Sequence, residues 1–182
     1  MKFNGDKQQI TELAKNVRLL LLDVDGILTD GKLYYSAQGE ELKAFNTLDG
    51  HGIKLLRQSG IEVGIVSGRD SKALQRRVDD LGIALVYKGR EDKHTVVEEI
   101  MRNQGLMASD IAYAGDDLPD LAAIELSGLG ITVPNAHSEV KLVAQLETDT
   151  VGGSGAVREI CDFLLKAQNL YGKVIEQSRL SK

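Results

Sequence analysis

Hydrophobic positions along the chain alternate between two periods. The apolar run Leu19-Leu20-Leu21-Leu22 predicts a strand over 18–24, with the pattern of one buried on both faces. Short apolar runs recur at 62–66, 84–87, 111–115 and 129–133, and each reads as a further strand. Between and around them, apolar residues recur at helical spacing over 6–16, 52–58, 71–81, 93–103, 118–126, 137–145 and 156–169. Ser59-Gly60, Gly82 and Gly105 stand where helices would stop. Two arms, 32–35 and 41–45, predict a β-hairpin around a Gly-containing turn at 36–40. A short edge strand is expected at 148–151, and the polar tail 173–182 is expected to fray or to dock on a partner. Strands alternating with helices imply right-handed βαβ crossovers and a three-layer α/β fold with a mainly parallel sheet. No linker or repeat divides 1–182, so one domain is expected.

Composition narrows the setting. The chain has 182 residues, 42% hydrophobic and 27% charged, an ordinary balance for a globular domain with a sizeable core. Lys and Arg number 22 against 27 Asp and Glu, a formal net charge of −5 with no basic stripe, so no nucleic-acid partner is expected. No apolar run approaches the roughly 20 residues of a membrane span. The opening residues, Met1-Lys2-Phe3-Asn4-Gly5-Asp6, lack a signal peptide's apolar region. The single Cys161 cannot form an internal disulfide and, beside Ile160, Phe163 and Leu164, reads as a core residue of a helix. A cytoplasmic location is the expectation.

Polar groups that can do chemistry follow successive strands. They are Asp23 and Asp25, then Ser67-Gly68-Arg69, then Lys93 opening a helix, then Gly115-Asp116-Asp117-Leu118-Pro119-Asp120. In a parallel sheet the carboxyl ends of strands converge on one rim, so these residues can meet across wide sequence separation. Carboxylates as close as Asp23 and Asp25 repel and need a cation, strong donors or a shared proton. Carboxylates for a hard cation, a hydroxyl with backbone N–H groups, and a lysine are what holding and transferring a phosphoryl group requires.

In order and spacing, Asp23-Val24-Asp25-Gly26-Ile27-Leu28-Thr29, Ser67, Lys93 and Gly115-Asp116-Asp117 with Asp120 resemble the four motifs of the haloacid dehalogenase superfamily of phosphohydrolases. The likeness extends through Thr29-Asp30-Gly31, the hairpin, Phe45-Asn46-Thr47-Leu48-Asp49-Gly50 and Gly152-Gly153 with Gly155-Ala156-Val157-Arg158-Glu159, roughly 17–168. It implies a Rossmann-like fold without a large cap, carrying only a hairpin insertion, and a phosphatase of sugar-acid phosphates. The implied substrate is an eight-carbon sugar-acid phosphate of lipopolysaccharide precursor synthesis, with nine-carbon acids or broader phosphomonoesters as rivals.

By the same resemblance Asp23 is the nucleophile, and Asp25 the general acid and then base. Mg2+ is held by Asp23, Asp116 and the Asp25 backbone carbonyl. Lys93 balances charge, while Asp117 and Asp120 orient the ligands and Lys93. Ser67 and the neighbouring N–H groups of Gly68 and Arg69 hold phosphate. Arg69 and a neighbouring subunit's Arg77 meet the sugar acid. The implied assembly is a homotetramer whose hairpins form a barrel, with the Arg179-bearing tail as a lid over an adjacent site.

Each motif alone has a plainer reading. Asp23-Val24-Asp25-Gly26 is also a common turn, although as a calcium-binding loop it fails, because Gly26 stands at position 4 and Tyr34 replaces the bidentate acid. Asp116-Asp117 suits a helix N-cap. Ser67-Gly68-Arg69 suits a strand-to-helix turn, and Lys93 and Arg77 suit solvated helix faces. His51, His94 and His137 read as surface or capping residues. Gly152-Gly153-Ser154-Gly155 lacks the third glycine of a dinucleotide loop, Arg158 standing there. A phospho-accepting signalling module, which also groups acids, a hydroxyl and a lysine, is the alternative from another class.

Overall fold

The four leucines of the first predicted strand lie at the middle of the molecule, and the sheet extends outward from them. The computed structural model describes residues 1–37 and 41–180. In chain order the elements are β1 (Lys2–Phe3), α1 (Lys7–Asn16), β2 (Leu19–Leu22), β3 (Tyr34–Tyr35), β4 (Glu41–Leu42), α2 (Thr47–Gln58), β5 (Glu62–Val66), α3 (Lys72–Leu81), β6 (Leu85–Tyr87) and α4 (Lys93–Gln104). There follow β7 (Ile111–Ala114), α5 (Leu121–Leu126), β8 (Leu129–Thr132), α6 (Ser138–Val143), β9 (Leu146–Glu147), α7 (Ala156–Ala167) and α8 (Tyr171–Leu180). Seven strands form one sheet in the order β1-β9-β8-β7-β2-β5-β6, parallel except for β1. The expected three-layer α/β architecture is therefore the observed one.

The side-chain alternation of β2 builds two cores. Leu20 and Leu22 pack with α1, α2, α3 and α7, while Leu19 and Leu21 pack with α4, α5 and α6 on the opposite face. All four are at most 2% exposed. Burial of each such side chain contributes about 1.5–3 kcal/mol. The chain leaves β2 for β5 and β6 on one side, then returns to β7 on the other. That reversal opens a crevice at the carboxyl ends of β2 and β7, the ligand position in open α/β sheets.

Several boundaries differ from the sequence expectation. Helix α2 begins at Thr47, five residues before the predicted start, because the Asn46 side chain caps it by accepting Leu48 N–H at 2.8 Å. Within the helix, Gly50 and Gly52 let Arg77 and Arg158 pack closely against it. The predicted 118–126 helix begins as a 3-10 turn, Leu118–Asp120, that then becomes α5. The edge strand lies at Leu146–Glu147 and not at 148–151. There the Asp149 and Thr150 N–H groups donate to the Glu159 carboxylate, which removes them from any ladder. Strand β1, two residues long, is too short to show a period and goes unpredicted. The hairpin strands pair Tyr34 with Leu42 and Tyr35 with Glu41, shorter than predicted, and the turn at 38–40 lies outside the described residues. The tail is the helix α8 over its described part, docked on its own chain through buried Val174 and the Lys166 ammonium over the Tyr171 ring.

Loop 152–155 supports the loop that follows β2. Gly152 N–H donates to Asn135 Oδ1 and Gly153 N–H to Ile27 O, both at 3.0 Å. A Cβ on Gly152 would lie 1.7 Å from Gly26 O. Gly152→Ala is therefore expected to lower stability by at least about 2 kcal/mol. Gly172→Ala, in α8 with open space around it, is expected to raise stability by up to about 1 kcal/mol. Denaturant unfolding of the two variants checks this, and a neutral Gly152→Ala would contradict the support role.

Candidate active site

Asp23 directly follows β2, and its N–H donates to Ala114 O of β7 at 2.9 Å, continuing the ladder by one step. The next residues wrap around one carbonyl: Ile27, Leu28 and Thr29 N–H all donate to Val24 O. Val24, Ile27 and Leu28 anchor this loop in the core. Gly26 adopts φ +95°, and the Asp116 carboxylate occupies the place where a Cβ would be, 1.9 Å from Asp116 Oδ2. Only glycine lets the loop after β2 and the loop after β7 come this close.

Lys93 opens α4 with its ammonium buried between two carboxylates, 2.8 Å from Asp23 Oδ1 and 2.6 Å from Asp120 Oδ1. Asp120 is fully buried and fully engaged. Its Oδ1 also accepts the Tyr113 hydroxyl at 2.8 Å, and its Oδ2 accepts Asp116 and Asp117 N–H at 3.2 Å. Removing one member of such a buried ion pair costs about 3–5 kcal/mol, because the partner charge is left uncompensated. Asp117 does not reach Lys93; its carboxylate caps the 3-10 turn by accepting Leu118 N–H at 2.8 Å. Of the two acids expected to orient Lys93, Asp120 is the one that contacts it, and Asp117 serves as a cap instead.

Asp25 turns the other way. Its Oδ1 meets the Lys43 ammonium at 2.5 Å and the Thr29 hydroxyl at 3.5 Å, and its Oδ2 lies 3.6 Å from Arg69 Nε. Ser67 is buried at the end of β5, its Oγ accepting Arg69 N–H at 3.2 Å. Asp23, Asp25, Ser67, Arg69, Lys93 and Asp116 line one cavity of about 580 Å³, with Gly68, Asp117 and Asp120 also at its wall. Arg77 is the predicted residue that stays outside. It donates to Asn46 O at 2.9 Å and stacks over the Phe45 ring at 5.5 Å. Two histidines are exposed as expected, and His137 caps α6. Cys161 is buried on α7.

Sequence reasoning missed Lys43, Tyr113 and Asn135, which donates to Gly26 O at 3.4 Å. Tyr113 could have been found by strand alternation, lying two residues before Gly115. Lys43 and Asn135 carried no local signal.

Carboxylate oxygens of Asp23, Asp116 and Asp120 lie within 4.8 Å of one another. With the acceptors of Asp120 all engaged, Asp23 and Asp116 are the side chains available to a metal. Asp116 Oδ1 is buried without a hydrogen-bond partner, an acceptor that a cation would satisfy. Three carboxylates against one ammonium leave two negative charges, which fits a hard divalent ion. Burial, with the Asp120 charge adding and Lys93 opposing, pushes the Asp23 carboxyl up to about 7. Burial and the Asp23 and Asp120 charges push Asp116 up to about 8. Burial by itself would lower the Lys93 ammonium, but the Asp23 and Asp120 carboxylates outweigh it and leave the group raised and charged.

Raised carboxyls bind protons more tightly folded than unfolded, so they lower the stability of the metal-free protein as pH rises from about 4 to about 8. A divalent ion must displace those protons. Calorimetric titration with Mg2+ at pH 7, in buffers of different ionisation heat, is expected to show release of about one proton, given carboxyls at about 7 and about 8. The Mg2+-induced rise in Tm is expected to be larger at pH 8 than at pH 6. Proton release independent of pH would contradict the assignment.

Comparison with known proteins agrees with this geometry. Residues 85–160 match the model of a haloacid dehalogenase-like hydrolase family. The chain is 43% identical over 165 residues to 3-deoxy-D-manno-octulosonate 8-phosphate phosphatase of Salmonella typhi, covering 91% of this chain and 88% of that protein. The Moraxella catarrhalis phosphatase of the same name, solved with magnesium, phosphate and the sugar acid, superposes with a TM-score of 0.93 at 42% identity, covering 94% of this chain and 99% of that one. The cobalt-bound Haemophilus influenzae enzyme superposes with a TM-score of 0.85 at 42% identity, covering 87% and 93% of the two chains. The chain belongs to the haloacid dehalogenase-like hydrolases, in the family of the 3-deoxy-D-manno-octulosonate 8-phosphate phosphatases.

Proposed function

We propose that this chain is a Mg2+-dependent phosphatase that hydrolyses 3-deoxy-D-manno-octulosonate 8-phosphate to the sugar acid and inorganic phosphate, through an aspartyl-phosphate on Asp23. The observation that carries the reading is the convergence, in one cavity, of Asp23 paired with a buried lysine, Asp116 with an unsatisfied oxygen, Asp25 and Ser67. The relatives supply the substrate class.

The steps follow from the chain's own groups. Asp23 attacks phosphorus in line, the bond from phosphorus to the sugar oxygen breaks, and Asp25 gives that oxygen its proton. Asp25, now ionised, takes a proton from water as the water attacks phosphorus, which releases phosphate and restores Asp23. Lys93 offsets charge on Asp23 as the phosphate dianion approaches. The Ser67 hydroxyl and Gly68 N–H hold phosphate oxygens, and Arg69 faces the sugar acid. The Asp23 and Asp116 carboxylates and the Asp25 backbone carbonyl would hold Mg2+, which would supply Lewis acidity toward the phosphoryl oxygens.

Asp117 stands at the rim and Asp120 fixes Lys93. In this reading 1–182 is a single domain that acts in the cytoplasm as a homotetramer, where Arg77 serves a neighbour's site. Exposed Tyr34, Tyr35 and Leu42 on the hairpin support assembly, since an apolar cluster beside a site marks an interaction surface.

Values of kcat/KM across a panel of sugar phosphates, with and without Mg2+, test the reading. The eight-carbon acid phosphate is expected to lead, and activity is expected to vanish without the metal. Equal values for nine-carbon or simple phosphomonoesters would remove the substrate assignment. A persistent aspartyl-phosphate without turnover would favour the signalling module. Asp23→Asn is expected to lower kcat by at least about 1000-fold with an unchanged circular dichroism spectrum. Retained hydrolysis would exclude Asp23 as the nucleophile.

A further inference from the structure

Lys43 belongs to none of the four motifs, yet it is among the most deeply placed cations of the described residues. It follows β4 in the hairpin, its side chain is 1% exposed, and its Nζ lies 2.5 Å from Asp25 Oδ1. An ammonium is withdrawn from water to this extent only when a charged partner compensates it. Asp25 has a second cation, with a different freedom. Arg69 Nε stands 3.6 Å from Oδ2, beyond a normal hydrogen bond, and the Arg69 side chain is 51% exposed at the cavity rim. Arg69 also takes the Tyr35 hydroxyl as a partner at 3.2 Å, so it has an alternative to Asp25. One carboxyl oxygen is therefore held by a fixed group together with the Thr29 hydroxyl, and the other by a group free to turn toward a ligand.

We propose that Lys43 is a positioning residue for the reaction. By holding Asp25 Oδ1 it fixes the carboxyl plane, so that Oδ2 is the oxygen that faces the leaving group and carries the proton. The proposal rests on the phosphatase reading above. The terminal torsion of an aspartate is broad and nearly two-fold, so an unrestrained carboxyl samples both oxygens and many tilts. Proton transfer needs the donor within about 2.6–3.2 Å of the leaving oxygen, and loss of that alignment removes most of the rate gain from general acid catalysis. Lys43 is not among the residues that line the cavity, whereas Asp25, which it holds, is, so its effect on the reaction is expected to pass through Asp25.

The test separates leaving groups. An alkyl oxygen, as in a sugar phosphate, needs a proton to depart, whereas the phenolate of p-nitrophenyl phosphate departs with little help. Single-turnover phosphorylation by the Mg2+-loaded protein is measured with both esters for the wild type, Lys43→Met and Lys43→Arg. Lys43→Met is expected to slow the sugar phosphate by about 100-fold and p-nitrophenyl phosphate by less than about 5-fold, with KM for the sugar phosphate changed by less than about 3-fold. Lys43→Arg is expected to recover the sugar phosphate rate to within about 10-fold of the wild type.

Equal slowing of both esters, or an effect on KM alone, would overturn the proposal. Should Lys43→Met not fold by circular dichroism, Lys43→Gln takes its place and the ratio of its two ester rates decides: a ratio equal to the wild type's counts against the role, a many-fold lower one supports it. A wild-type protein that hydrolyses neither ester would instead overturn the phosphatase reading, and the role of Lys43 with it.

Discussion

A lysine ammonium buried between two carboxylates is the contact on which the rest of the site depends. Lys93 comes from the start of α4, Asp23 from the end of β2 and Asp120 from the turn after β7, so one charge joins three separate pieces of chain. In a low-dielectric interior none of the three groups is tolerable without the others. Asp120 spends its remaining acceptor capacity on Tyr113 and on the backbone of Asp116 and Asp117, which sets the direction of the loop that carries Asp116. Asp116 is then left with an oxygen that no described residue satisfies. The arrangement is thus one cation short, and that deficit is what a divalent ion would meet.

The loop after β2 has a second source of precision. It winds around a single carbonyl, is pinned by three apolar side chains, and is backed by Gly152, Gly153 and Asn135. Asp49 on α2 accepts Arg158 N–H at 2.7 Å, so the helix following that glycine loop is tied to α2. Asp23 and Asp25 are two residues apart, yet they face different partners: Lys93 for one, Lys43 and Arg69 for the other. Separate environments let two identical carboxyl groups take the unequal roles proposed for them, one as nucleophile and one as proton carrier.

Much of this was legible in the residues. The run Leu19 to Leu22 and its echoes gave the strands, because a strand buried on both faces must be apolar throughout. Asp23, Asp25, Ser67, Lys93 and Asp116 follow strands, and parallel topology brings such ends together. The errors have one kind of cause. The Asn46 cap starts α2 ahead of its apolar period, Glu159 takes the N–H groups a strand would have used, and two-residue strands have no period.

By itself the sequence determined the strand and helix alternation, the parallel sheet and the set of groups at its rim. Those follow from local periodicity and from the handedness of crossovers, which every segment of the chain carries within itself. Only the tertiary structure decided which carboxylate neutralises which lysine, that Asp117 caps a turn while Asp120 holds Lys93, and that Lys43 reaches Asp25. The tertiary structure also decided that Arg77 is held against Phe45 and Asn46. Those pairings join residues far apart in the chain, and distance in space, burial and charge settle them, none of which has a spacing that the sequence can display.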